Sequence, residues 1–312
     1  MGRPLLVLGW HNVEPTWCFP AADGAGRRGL GRQLAFLARF ANVVPLDEGL
    51  QALRAGRPLP PRAVAITFDD GYRDQLDVAV PMLERLRLPA TFFLVPGLLD
   101  GDDRPWWEVL GWVFARATRE VVAWEGRTLG LRDDGERHAC LVTVGELLKR
   151  RDRTAREQAV QELIDRCRPA GSPGDRARFL DWAGAHELVR RGFTAGSHSQ
   201  HHAILSQESE TEQRHDLAGS RKRLEQELDV PVDLLAYPNG TPLDYDDATM
   251  EAARAAGYAY AVTTVTGWNQ PVTPRLELRR FVMQPERGTA GLSMVPLDPL
   301  WRRVRPLRDR GR

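Results

Sequence analysis

The chain has 312 residues, 42% of them hydrophobic, with 43 basic and 42 acidic side chains and a formal charge of +1. That balance argues against a protein held on nucleic acid by net charge, no apolar run approaches the thickness of a bilayer, and the length allows one large barrel-type domain with a full core. Cys18, Cys140 and Cys167 are widely spaced and odd in number, so they form neither a disulfide framework nor a thiolate zinc site and suit a reducing compartment.

The opening MGRPLLVLGWHNVEP has only a few apolar residues before polar ones and no small-residue cleavage site, so no export signal and a cytoplasmic location are expected. Its LLVLGW (residues 5–10) reads as the first strand. A helical pattern, QLAFLARF (33–40), separates it from AVAITF (63–68). Another helical stretch at 72–87 precedes ATFFLV (90–95). The rhythm then breaks from about 100 to 181. WWEVLGWVFARA (106–117) opens that stretch, a hairpin is expected around VVAWEGRTLGL (121–131) and an amphipathic helix near 153–167, and PAGSPGD (169–175) closes it as a loop. We read it as a mostly helical insertion capping the mouth of the domain, with Trp106, Trp107 and Trp112 serving either as packing or as an aromatic wall for a sugar ring.

Alternation resumes with HELVRRG (186–192), GFTAG (192–196), a long helix at 207–228, DLLAY (233–237), DDATMEAARAAG (246–257), YAYAVTT (258–264) and LRRFVM (278–283). Strands separated by helices in this way indicate a parallel sheet. About seven such units point to a closed or nearly closed β/α barrel, whose chemistry sits at the carboxyl ends of the strands. The domain is expected over residues 1–290, with 291–312 a strongly basic tail.

Two strand ends carry the residues with chemistry. In ITFDDGY, Asp69 and Asp70 follow an apolar run, and neighbouring side chains on a strand face opposite ways, so a turn at Gly71 is needed to bring both carboxylates to one pocket. After GFTAGS comes HSQHH, in which His198 and His202 are four apart, a spacing that lets a helical or tight turn aim both imidazoles at one point. His201 is directed elsewhere by the same spacing. Two imidazoles and one carboxylate leave a fourth coordination position for water, the pattern of a catalytic metal site. The second carboxylate can then serve as general base. Spacing alone does not say which aspartate does which.

ITFDDGYRD, HSQHH and LLAYPNG, in this order, resemble the motifs of the polysaccharide deacetylases, the NodB-like carbohydrate esterases, along most of the chain. The resemblance implies a distorted (β/α)7-type α/β barrel, Asp69 as general base, and Asp70, His198 and His202 as ligands of a divalent cation. Zinc is the default for that donor set, with cobalt, nickel or manganese also suited. It further implies that Pro238 fixes the backbone so that the Asn239 N–H acts as oxyanion donor, and that Tyr237 and Trp268 contribute to the substrate pocket, to which Trp106 and Trp107 of the insertion would add their aromatic wall. The implied reaction is hydrolysis of an N-acetyl, or less often O-acetyl, group on a sugar or glycan.

Two departures stand out. AYPNG (236–240) lacks the arginine that many members carry there to orient the base, and RLELRRFVM (275–283) lacks the late histidine that protonates the leaving amine. His11, at the end of the first strand, can reach a site where all strand ends converge. The alternatives to a carbohydrate deacetylase are an amidase acting on a non-carbohydrate C–N bond and a non-catalytic sugar-binding protein. Oligomeric state is not encoded in any of these features.

Overall fold

The computed structural model describes residues 3–101 and 103–292. All but the first two residues of the basic tail lie outside that range. β1 (Leu6–Trp10) leads into α1 (Ala25–Phe40), the short β2 (Asn42–Val43) and α2 (Leu46–Arg54). β3 (Ala63–Phe68) is followed by a wide π-type turn (Gln75–Ala79) that runs into α3 (Val80–Leu86), then by β4 (Thr91–Leu94) and the short α4 (Pro96–Asp100). The insertion comprises α5 (Trp106–Ala115), β5 (Val121–Trp124), β6 (Arg127–Gly130), α6 (Asp134–Leu148) and α7 (Arg153–Cys167). The barrel resumes with α8 (Trp182–Arg190), β7 (Thr194–Ser197), α9 (Glu210–Leu228) and β8 (Leu234–Ala236). α10 (Asp247–Ala256), β9 (Tyr260–Val262), β10 (Phe281–Val282) and α11 (Gly288–Leu292) complete it.

β3 is buried along its whole length, as are β1, β4 and β8. Continuous apolar runs of this kind, rather than alternating ones, mark strands covered on both faces, and the sheet is parallel throughout. Its order is β10-β1-β3-β4-β7-β8-β9, with β2 beside β3. The segment before β10 closes the ring. Leu278 bridges in parallel to Val262 of β9, and three residues on, Phe281 is in register with Leu8 of β1. The fold is thus the distorted (β/α)7 barrel expected from the strand count.

The hairpin expected around 121–131 forms as antiparallel β5 and β6, and the expected helix near 153–167 is α7. Together with α5 and α6 they enclose an apolar cluster of their own. Trp106, Leu110, Val113, Trp124, Val144 and Leu163 belong to it, and Ile204, from the loop after β7, ties it to the barrel. Helix ends are fixed locally: Asp133, Asp152 and Ser209 cap α6, α7 and α9 by accepting from backbone N–H groups of the first turn.

Candidate active site

β3 ends at Phe68, and the chain turns at once. Asp70 and Gly71 both adopt left-handed backbone conformations, with φ of 71° and 74°, so the turn expected at the glycine begins one residue earlier. At the end of β7 the chain likewise bends through Ser199 (φ 65°) and His202 (φ 49°), so a tight irregular turn, not a helix, presents the two imidazoles. Among the described residues, four of the nine non-glycine residues with positive φ sit just after β3, β7 and β8, counting Asn239 at 55°. Such residues persist where surrounding structure enforces them, and they concentrate at functional sites.

These turns bring together the expected ligands. The Nε2 atoms of His198 and His202 each lie 3.3 Å from Asp70 Oδ1, and one donor atom from each residue falls within 4.8 Å of the other two. All three side chains are buried. The Nδ1–H of His198 is held 2.7 Å from the Ala236 carbonyl at the end of β8, which leaves Nε2 with its lone pair facing Asp70. Asp70 Oδ1 accepts no hydrogen bond. A buried carboxylate oxygen with only two imidazoles before it suits a divalent cation, so the donor set fits such an ion. For Asp70, burial favours the neutral acid, but contact with the two imidazoles outweighs it and the carboxyl lies well below its ordinary pKa. For His202 burial dominates and lowers the pKa, keeping the ring neutral, as a ligand must be. His201 turns outward to Asp103, 2.7 Å away. Asp216 of α9 accepts from the Gln200 N–H at 2.8 Å and pins the turn from behind.

Asp69 is held apart from this cluster, between two basic side chains. Arg280 Nη1 reaches its Oδ1 at 2.6 Å, and His11 Nε2 lies 3.8 Å from its Oδ2. Asp69 and Arg280 are both fully buried. Burial pushes the Asp69 carboxyl up, but the charges of Arg280, then His198 and His11, bring it below its ordinary value, so it is ionised and able to accept a proton. Arg280 thus stands where the sequence offered no arginine to orient the base. It comes from just before β10, packs its stem over Gly9 of β1, and also bonds Thr67 Oγ1 and the Thr263 carbonyl.

A cavity of about 480 Å³ opens from Asp70 and His202. Asn239 lines it, and its backbone N–H takes part in no hydrogen bond among the described residues. Pro238 is buried immediately before it. Trp106 and Trp107 form a second wall, and the Trp107 ring lies 4.2 Å from that of His202. Trp107 is positioned by a chain the sequence did not reveal: its Nε1–H donates to Tyr72 Oη at 2.8 Å, and Tyr72 donates to Glu108 at 2.7 Å. Glu108, fully buried, also accepts from Thr16 Oγ1 and the Trp17 and Cys18 N–H groups. Two residues expected in the substrate pocket do not line this cavity. Tyr237 is completely buried and stacked on Tyr245 at 4.7 Å, and Trp268 is half-buried against the main core. Each fills space between elements, and neither presents an edge to the cavity.

Fold and site together define a β/α-barrel protein with an Asp-His-His cluster and a second carboxylate at its mouth. The polysaccharide deacetylase family model matches residues 56–115 and 132–261, and the chain belongs to that family. The unmatched stretch between these blocks contains the β5–β6 hairpin. A 96-residue stretch, 30% of the chain, is 31% identical to the poly-β-1,6-N-acetyl-D-glucosamine N-deacetylase of Escherichia coli K12, and it spans only 14% of that protein's length. Among solved structures, the Streptococcus pyogenes deacetylase PplD in complex with acetate aligns with a TM-score of 0.64 at 18% identity, covering 96% of this chain and 100% of that one. IcaB from Ammonifex degensii aligns with a TM-score of 0.60 at 19% identity, covering 95% and 99%. At those identities the likeness is one of fold.

Proposed function

We propose that the protein is a metal-dependent hydrolase that removes N-acetyl groups from a carbohydrate. The observation that carries this reading is the meeting of Asp70, His198 and His202 within 4.8 Å, next to the buried, ionised Asp69, where Asp70 and His202 open onto a cavity. Family membership and the names of the E. coli and S. pyogenes relatives support it. Asp70, His198 and His202 would hold a divalent cation, which would supply Lewis acidity and lower the pKa of water at the site to about 7. Asp69 takes the proton of the attacking water, and Arg280 keeps its carboxylate ionised and aimed. The Asn239 N–H donates to the oxygen that gains charge as the carbonyl becomes tetrahedral. His11, at the cavity wall beside Asp69, donates the proton that the departing amine requires, so water and acetamide become acetate and amine.

The test is acetate release from N-acetylglucosamine oligomers by protein stripped with a chelator and reloaded with zinc, cobalt, nickel or manganese. Asp69→Asn is expected to retain the metal and lose most turnover, and His198→Ala or His202→Ala to lose the metal. His11→Ala should lower turnover most on substrates with poor leaving amines. Equal metal loss in Asp69→Asn and His198→Ala would reverse the roles given to the two aspartates.

A further inference from the structure

Cys140, Val144 and Leu148 of α6 belong to the insertion's own core and Leu141 packs at its edge, and Leu141 and Val142 both line the cavity at the metal ligands. Val142 lies outside the stripe that docks the helix. It does not stand alone. Among the described residues six large hydrophobic side chains are exposed, and three of them, Phe19 at 41%, Val142 at 54% and Val282 at 42%, line this one cavity. They come from three separate parts of the chain: the loop after β1, α6 and β10. Leu110 of α5 extends the same wall.

This lining is ill-suited to a second sugar ring, whose hydroxyls each want a polar partner. On the α6 side the polar groups are His138 and the Glu146–Lys149 pair, and the latter two are committed to each other at 2.7 Å. Resting on the deacetylase reading, we propose that the acetamido sugar carries an apolar aliphatic chain, and that this chain lies along α6 between Leu110, Leu141, Val142, Phe19 and Val282. The cation, Asp69 and Asn239 take the acetamide; the α6 slot takes the chain. The insertion therefore selects the substrate, and the barrel performs the hydrolysis.

The experiment uses alkyl glycosides of N-acetylglucosamine, methyl through octyl, below their micelle concentrations. kcat/KM is measured on the metal-loaded protein, and binding of the same series to chelator-treated protein is measured by calorimetry. Full burial would give about three- to fourfold per methylene, and partial burial in an open slot should still give about tenfold or more from methyl to octyl in both measurements. Val142→Asp, at an exposed position that does not endanger folding, should remove most of that octyl-to-methyl ratio, and Leu141→Ser should reduce it. A ratio near one in the native protein, or a ratio unchanged in Val142→Asp, overturns the proposal. Binding that strengthens with chain length without any turnover supports the slot and refutes the deacetylase reading on its own.

Discussion

Replacing Arg280 by Met isolates the group that holds the base. Arg280 and Asp69 are both fully buried, and their contact at 2.6 Å is the shortest that the Asp69 carboxylate makes. Removing one partner of a buried pair leaves the other uncompensated and typically costs about 3–5 kcal/mol, a large share of the 5–15 kcal/mol that stabilises a typical domain. Met fills much of the stem's volume over Gly9, so cavity formation contributes little of that loss. The assay is urea unfolding at neutral pH for the native protein, Arg280→Met, Asp69→Asn and the double variant. Because the uncharged Asn needs no counter-charge, the double variant should be more stable than Arg280→Met alone, giving a coupling of roughly 2 kcal/mol or more. Turnover should fall sharply in Arg280→Met while bound metal is retained, since Asp70, His198 and His202 are untouched. Strictly additive losses, or a cost below about 1 kcal/mol for Arg280→Met, would refute the claim that this arginine sets the state of the base.

Further outcomes follow from the same geometry. Gly9→Ala would place a Cβ 2.9 Å from Arg280 Cδ, and because the guanidinium head is fixed by Asp69 the stem cannot yield; a loss of about 1–3 kcal/mol in thermal or urea unfolding is expected. Glu108→Gln keeps the shape, and with the amide oxygen toward the Trp17 and Cys18 N–H groups its NH2 faces the Thr16 and Tyr72 hydroxyls, which must turn from donors to acceptors, so a destabilisation of about 1–3 kcal/mol is expected. Because Tyr72 already accepts from Trp107, a change in tryptophan fluorescence should accompany it. Asp74 accepts from the Val13 and Glu14 N–H groups, and burial raises its carboxyl to about 6. The folded protein then holds a proton that the unfolded chain has already lost above pH 4, so this group's contribution is fully favourable below pH 4 and is lost as pH rises to 6. The stability of Asp74→Asn relative to the native protein should accordingly increase by up to about 3 kcal/mol between pH 4 and pH 7. A difference that does not vary with pH refutes it.

What could be read in the sequence was whatever is written locally. Apolar runs such as AVAITF and ATFFLV disclose buried parallel strands, and DDG and HSQHH each follow directly on a strand, so the ligand cluster follows once strand ends are known to converge. Arg280 was not legible because its meaning depends on a partner 211 residues away. In LRRFV nothing distinguishes the arginine that is buried from its exposed neighbour until closure of the ring places β10 beside β1, where Gly9 leaves room. Glu108 is hidden for the same reason, since a single acid in WWEVLGW looks like a solvent-facing helix residue until Thr16, Trp17 and Cys18 arrive from 90 residues upstream. Tyr237 and Trp268 show the converse error. Proximity in sequence to Asn239, or to a turn near the site, says nothing about which side of the backbone a ring takes, and both rings turn toward the core.

The charges buried at the barrel mouth explain why this donor set suits a cation and why Asp69 stays outside it. Asp69 and Asp70 carry two negative charges and Arg280 one positive, leaving a net negative charge in a buried site when the imidazoles are neutral. Without an ion, the carboxylates recover the balance by raising the pKa of His198, where they outweigh burial. A ring protonated at Nε2 could not ligate, and a divalent ion held by Asp70, His198 and His202 would balance the same charge and give the Asp70 oxygen a partner. Asp69, already neutralised by Arg280, gains little from moving toward the ion and keeps its second oxygen available for a proton. In the proposed mechanism the arginine thus divides the work between two adjacent carboxylates, a division that the sequence DD does not itself express.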